Sequence, residues 1–115
     1  MAKRVIPDPL ERRHLIERSL EPARALAIAE AYLADDRGLE AVAFLARAGA
    51  TERLEALFRA AVEQGDPFLL REVATALGRE PDAASWRALA EAAAGAGKDR
   101  YAAEARRQEA RLTQS

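Results

Sequence analysis

The stretch from Thr51 to Gly78 constrains the fold most, because it has the pattern of two apolar helices joined by a tight corner. At this corner Gly65 can end one helix in a left-handed conformation, Asp66 can cap the next, and Pro67 suits its first position. Thr51 can likewise cap the first helix through its hydroxyl. Both helices are apolar on more than one face, through Leu54, Leu57, Phe58, Ala61, Val62, Phe68, Leu69, Leu70, Val73, Ala74 and Leu77. Two helices alone cannot bury that much apolar surface, so we expect further helices on both sides.

The composition is that of a soluble globular protein, since 50% of the 115 residues are hydrophobic and 32% are charged. Alanine and leucine dominate the apolar set, which favours helix. A net charge of -1 gives no overall attraction to nucleic acid or to an anionic membrane. The absence of cysteine excludes disulfides and thiolate metal sites and fits a reducing compartment. With no secretory signal at the start and no apolar run of about 20 residues, we expect a cytoplasmic protein.

Capping residues predict a short helix near the start of the chain. Residues 1–7 are expected to form a flexible arm, and Asp8, Pro9 and Glu11 then begin a helix that runs to about Arg18. This helix can cover one end of a helical array, as the charged last helix can cover the other. The chain therefore has the pattern of a self-capped array.

Three two-helix hairpins follow, at about 22–49, 51–78 and 82–112. Equivalent units begin at Pro22, Thr51 and Ala83, so the two intervals between successive unit starts are of similar length. A period of about 30 residues, built from two short helices, indicates a stacked helical array. We therefore predict an all-α fold with one helical-repeat domain over residues 8–115.

These units resemble the tetratricopeptide repeat, whose pattern runs W-x2-L-G-x2-Y, then A-x3-F, then P. The best match is the third unit, with Trp86, Leu89 and Ala90 in its first helix and Ala102 in its second. The first unit contributes Ala25, Ile28, Ala29, Tyr32, Ala41 and Leu45, and the central unit Leu54, Leu57, Phe58, Ala61, Leu70 and Ala74. The resemblance covers residues 22–112 and implies a right-handed α-α superhelix, or solenoid.

The same resemblance implies a function, because such arrays hold peptides or helices of partner proteins in a groove lined by the first helix of each unit. By that analogy the groove residues are Glu30, Glu55, Arg59, Arg87 and Glu91. Their mixed charge predicts a partner segment that is itself mixed or amphipathic. This interpretation is a non-catalytic interaction or scaffold module, with no metal and no cofactor.

Two other functions stay open at this point. Apolar helices around Phe44 and Phe68 can leave a patch that a second copy covers, which would make a structural homodimer. A helical repeat that contacts nucleic acid through the arginines of the last helix is the weaker alternative. An enzyme would need convergent carboxylates in a pocket, because the sequence supplies no other catalytic group.

Other polar features are better explained by structure than by chemistry. His14 has no second ligand on its helical face and is expected to be exposed. Asp35 and Asp36 fit a helix end and turn rather than a calcium loop. Residues 95–98 lack the strand and spacing of a phosphate loop and fit a hairpin corner. Trp86 is expected in the core, with a partly exposed contact for a partner as the alternative.

Overall fold

A computed structural model describes residues 6–17 and 20–114 of the chain. Over those residues the backbone forms helices and no strand, which confirms the predicted all-α class. The helices are α1 (Pro9–Glu17), α2 (Pro22–Ala34), α3 (Gly38–Arg47), α4 (Thr51–Gln64), α5 (Pro67–Leu77), α6 (Ala83–Gly95) and α7 (Asp99–Thr113). None of these described helices has the length and apolar character needed to span a membrane.

The central corner between α4 and α5 has the predicted local chemistry. Gly65 has a φ of 70°, in the left-handed region. The Asp66 carboxylate accepts hydrogen bonds from the backbone N–H groups of Phe68 and Leu69, both at 3.1 Å. These bonds satisfy two N–H groups that have no partner inside the helix. The break that was predicted from Gly65, Asp66 and Pro67 is therefore confirmed.

The prediction that Thr51 caps α4 was wrong. Thr51 is the first helical residue, and the carbonyl of Ala50 accepts from the N–H of Leu54 at 3.0 Å. Ala50 therefore takes the capping position that was assigned to Thr51. The helix begins one residue earlier than the side-chain chemistry suggested, because the carbonyl of Ala50 is already in helical register.

Two other predicted caps are present. The carboxylate of Asp8 accepts from the N–H of Glu11 at 2.8 Å, and that of Asp82 accepts from the N–H of Ser85 at 2.8 Å. The hairpins also begin where the sequence predicts, since α2, α4 and α6 start at Pro22, Thr51 and Ala83. Most of the predicted arm, and the end of the first helix at Arg18, lie outside the described residues.

The chain divides into two compact units, the first ending at Leu54 and the second beginning at Glu55. In the first unit α2 and α3 form a hairpin, and the rings of Tyr32 and Phe44 stack with centroids 5.8 Å apart. Arg12 of α1 donates to the carbonyl of Glu40 at 2.9 Å, and its guanidinium lies 5.7 Å and 5.5 Å from the centroids of the two rings. This arginine attaches α1 to the hairpin.

The second unit contains most of α4 with α5, α6 and α7. Its buried hydrophobic side chains are Leu57, Phe58, Ala61, Leu69, Leu70, Val73, Ala74, Trp86, Leu89, Ala90, Ala93, Ala102 and Ala105. Small residues let parts of the backbone approach closely. A Cβ atom added to Gly65 would lie 2.6 Å from the Cα atom of Ala93. Glycine is therefore required at this position by its neighbour as well as by its own backbone conformation.

Candidate functional site

The five residues predicted to face a partner lie on α2, α4 and α6, the first helices of the hairpins. Three of them form ion pairs: Glu30 with Arg53 at 2.8 Å, Glu55 with Arg79 at 2.7 Å, and Arg87 with Glu109 at 2.7 Å. Arg59 and Glu91 are exposed. Much of the charge on these first helices is therefore balanced within the chain, and their role in binding stays a prediction.

The ion pair between Glu55 and Arg79 is bidentate. Two nitrogens of the Arg79 guanidinium donate to the two carboxylate oxygens of Glu55, at 2.7 Å and 2.8 Å. The same guanidinium lies 4.8 Å from the ring centroid of Phe58. These hydrogen bonds hold the pKa of Glu55 below its ordinary value and raise the pKa of Arg79. The contact ties α4 to the segment that follows α5.

The second helices α5 and α7 lie side by side and share a seam of paired side chains. Phe68 contacts Tyr101 edge to face, with ring centroids 5.6 Å apart, and Arg71 pairs with Glu104 at 3.0 Å. Both pairs join residues with the same separation along the chain, so α5 and α7 run in the same direction with a constant register. Phe68 is 49% exposed, whereas Tyr101 is half-buried.

This aromatic pair was not identified from the sequence. The spacing between Phe68 and Tyr101, which is close to one repeat, is the signal that could have found it, because equivalent positions of neighbouring repeats lie next to each other. The expectation of a patch around Phe44 was wrong, since the side chain of Phe44 is completely buried. Contacts with Tyr32 and Arg12 cover it. An exposed aromatic residue is thus found at Phe68 and not at Phe44.

Glu104 is the best-connected carboxylate on α7. It accepts hydrogen bonds from Arg71 at 3.0 Å, from Arg107 at 2.6 Å and from Gln108 at 2.9 Å. Hydrogen bonds from Gln108 and Arg107 hold its pKa below the ordinary value. Arg107 of the last helix therefore has an acidic partner, as Arg111 also does in Glu80. This arrangement does not favour the nucleic-acid alternative, which needs a surface of one charge sign.

A depression of about 510 Å³ lies next to this seam, between α5, the segment before α6, and the C-terminal half of α7. Its lining includes Arg71, Arg79, Glu80, Trp86, Gln108 and Arg111. Trp86 is 1% exposed, which confirms its prediction as a core residue, so the alternative of a partly exposed side chain was wrong. Its indole N–H is buried and has no hydrogen-bond acceptor in the protein. We refer to this depression as the Trp86 pocket.

A second polar cluster lies in the first unit, where Arg12 and Arg37 both approach Tyr32. The Arg37 guanidinium lies 5.0 Å from the Tyr32 ring centroid and donates to Glu40 at 2.8 Å, which raises the pKa of Arg37. The Tyr32 hydroxyl and the Nε of Arg12 are buried without a partner in the protein. Because Arg12 also bonds the carbonyl of Glu40, the cluster has a clear structural task in holding α1.

The remaining polar candidates have the structural roles that were predicted. His14 is exposed. Asp35 caps the end of α2, and Asp36 takes a left-handed φ of 56° in the turn that follows. Residues 95–98 form the hairpin corner, where Lys98 donates to the carbonyl of Gln64 at 2.7 Å. In the part of the chain that the structure describes, no three acidic or histidine residues are grouped as metal ligands.

Comparison of the chain with protein-family models, with curated proteins and with solved structures gives no match.

Proposed function

We propose that this protein is a non-catalytic interaction module in which three helical hairpins stack as a right-handed α-α superhelix of the tetratricopeptide type. The main support is the seam between α5 and α7. Two side-chain pairs along it, Phe68 with Tyr101 and Arg71 with Glu104, have the same separation along the chain. Equivalent helices of stacked repeats contact each other in this way. Arrays of this kind present extended surfaces that suit the binding of a peptide or a helix.

The groove residues that we propose are Glu30, Glu55, Arg59, Arg87 and Glu91, on the first helices. Ion pairs already balance the charge of Glu30, Glu55 and Arg87. Arg59 and Glu91 are exposed and carry opposite charges. A partner segment with both charge signs, or an amphipathic helix, would complement such a surface.

The proposal is tested by retention of partner proteins on the immobilised chain, followed by binding of an identified partner with purified components. The binding variant combines Arg59→Glu with Glu91→Lys, because both side chains are exposed and their replacement leaves the core intact. The matched control combines Arg100→Glu with Glu72→Lys, which changes two exposed charges on the second helices α7 and α5, outside the proposed groove.

We expect the binding variant to weaken the affinity at least about tenfold, which corresponds to about 1.4 kcal/mol. The control should bind within about twofold of the wild-type chain. Equal affinities for the binding variant and the wild-type chain would exclude the first-helix groove. Equal losses of affinity in both variants would mean that the partner responds to surface charge in general and not to a defined site.

Self-association is a second candidate, which the exposure of Phe68 favours. This side chain is 49% exposed although its ring already contacts Tyr101. A second copy could cover it, with Arg71 and Glu104 as complementary charges beside it. Sedimentation of the purified chain separates the two functions, because a monomer at tens of micromolar would exclude the homodimer.

A further inference from the structure

We propose that the Trp86 pocket binds an oxyanion, either a carboxylate or a phosphate group, through the indole N–H of Trp86 and the guanidinium groups of Arg71, Arg79 and Arg111. This site is additional to the groove on the first helices. The inference depends on the pocket alone and does not require the proposed interaction function.

The first argument is the unsatisfied donor. The Trp86 side chain is 1% exposed, lines the pocket, and has no acceptor for its N–H within the protein. A buried donor without a partner is unfavourable, so most such groups in folded proteins find an acceptor. An oxygen atom of a bound group would supply the missing acceptor.

The second argument is the charge of the lining. Three arginines and one acidic residue, Glu80, line the pocket. Arg71 uses one terminal nitrogen for Glu104, and Arg79 uses two for Glu55. A guanidinium carries more N–H groups than these bonds use, in a plane that suits carboxylate and phosphate oxygens. The lining therefore keeps donors for an incoming anion.

The third argument is that nearby acceptors are already used. The carbonyl of Ala74 accepts from the N–H of Arg79, and that of Thr75 accepts from the N–H of Gly78, both at 3.0 Å. The Thr75 hydroxyl donates to the carbonyl of Arg71 at 3.0 Å, and Glu80 accepts from Arg111. What the pocket offers is a surplus of donors. A ligand that only accepts, as an oxyanion does, is the chemical complement.

The existing ion pairs limit the affinity for an oxyanion that we expect. Since the three arginines already have carboxylate partners, a ligand gains only part of their attraction. We therefore expect dissociation constants of about 1 mM for small oxyanions, which is typical of a few hydrogen bonds in a half-exposed site.

The experiment uses nuclear magnetic resonance of the full ¹⁵N-labelled chain. Trp86 is the single tryptophan, so its indole N–H gives one resolved signal. The chain is titrated with inorganic phosphate, with acetate and with chloride, at constant ionic strength. Two further probes, a blocked Gly-Glu-Gly peptide and its Gln counterpart, distinguish a small anion from a side-chain carboxylate.

We expect the indole signal to shift with saturation for phosphate or for the carboxylates, and not for chloride or the Gln peptide. Saturation with phosphate alone would assign the site to a phosphate group, whereas saturation with acetate and the Glu peptide would assign it to a carboxylate. Either outcome supports the proposal. An indole signal that does not move, or that moves equally with chloride, would overturn it.

Variants then test which side chains are responsible. Arg71→Gln and Arg111→Gln should each weaken binding about fivefold, through the loss of one charged donor. Arg106→Gln is the matched control, because Arg106 is exposed on the same helix as Arg111 and does not line the pocket. Trp86→Phe is followed through the backbone amide signal of Gly78, and it should also weaken binding. Equal affinities in the pocket variants and in the control would refute the assignment.

The test of the oxyanion site can be separated from the test of the proposed interaction function. If oxyanion binding is saturable and the groove variant keeps full affinity for the partner, the oxyanion site is supported and the first-helix groove is excluded. If partner binding depends on Arg59 and Glu91 and the indole signal does not move, the groove is supported and the oxyanion site is excluded.

Discussion

Replacement of Gly65 by alanine tests the tertiary structure most sharply. Gly65 lies at the corner between α4 and α5, with a φ of 70°. A Cβ atom there would lie 2.6 Å from Cα, 2.7 Å from N and 2.8 Å from Cβ of Ala93. Two of these atoms belong to the backbone of α6, so side-chain rotation cannot relieve the overlap. The variant should therefore combine conformational strain with a steric clash.

The two contributions can be separated by comparison with Gly78. This residue ends α5 with a similar φ of 74°, and an added Cβ would have nothing within 4 Å. Gly78→Ala should cost about 1 kcal/mol, from the left-handed conformation alone. Gly65→Ala should cost about 2–4 kcal/mol, because overpacking adds about 1–3 kcal/mol to that strain.

The assay is denaturant unfolding followed by circular dichroism, with thermal unfolding as a second measure. In a domain of this size about 1 kcal/mol corresponds to roughly 4 °C in the melting temperature, so the two variants should differ by several degrees. The double variant Gly65→Ala with Ala93→Gly should show no full rescue, because the clashing Cα and N atoms remain. Equal losses for Gly65→Ala and Gly78→Ala would refute the close approach between the corner and α6.

Three further predictions concern the cap of α5, a carboxylate of α7 and the exposed aromatic side chain of α5. Asp66→Ala should destabilise the chain by about 1 kcal/mol, because α5 loses the carboxylate that accepts from Phe68 and Leu69, and urea unfolding will detect the change; no change would mean that water replaces the cap. The free energy of unfolding should fall as the pH drops below about 4, because the pKa of Glu104 is lower in the folded chain than in the unfolded chain. The stabilisation is fully present above the unfolded-state pKa and is lost as the pH falls through the folded-state pKa. Glu104→Gln should therefore flatten the pH dependence of unfolding. Phe68→Ser should shift a concentration-dependent dimer to monomer in sedimentation without a large loss of stability, since the side chain is 49% exposed; a dimer of unchanged affinity would show that Phe68 is not at its interface.

The positions of the helices were largely predictable from the sequence, because the signals that set them are local. Asp66 and Asp82 reach the N–H groups of the next few residues whatever the rest of the fold does. Gly65 and Gly78 take left-handed conformations at the predicted helix ends. The cap of α4 is the exception, because Thr51 lies inside the helix and Ala50, which precedes it, has no side-chain acceptor.

The candidate sites were less predictable, because they depend on residues that are distant along the chain. Glu55 was expected to face a partner, but the structure pairs it with Arg79, which follows the next helix. Nothing in the neighbourhood of Trp86 in the sequence shows that its N–H lacks an acceptor. Which donors and acceptors meet is decided only when helices pack.

The sequence by itself therefore determined that this chain is helical, where most of its helices begin and end, and that the hairpins start at Pro22, Thr51 and Ala83. Only the tertiary structure decided that Phe44 is covered while Phe68 is exposed, and that Gly65 abuts the backbone of Ala93. The physical reason is range. Caps and turns act over a few residues, whereas burial and ion pairing depend on the neighbours that packing brings together.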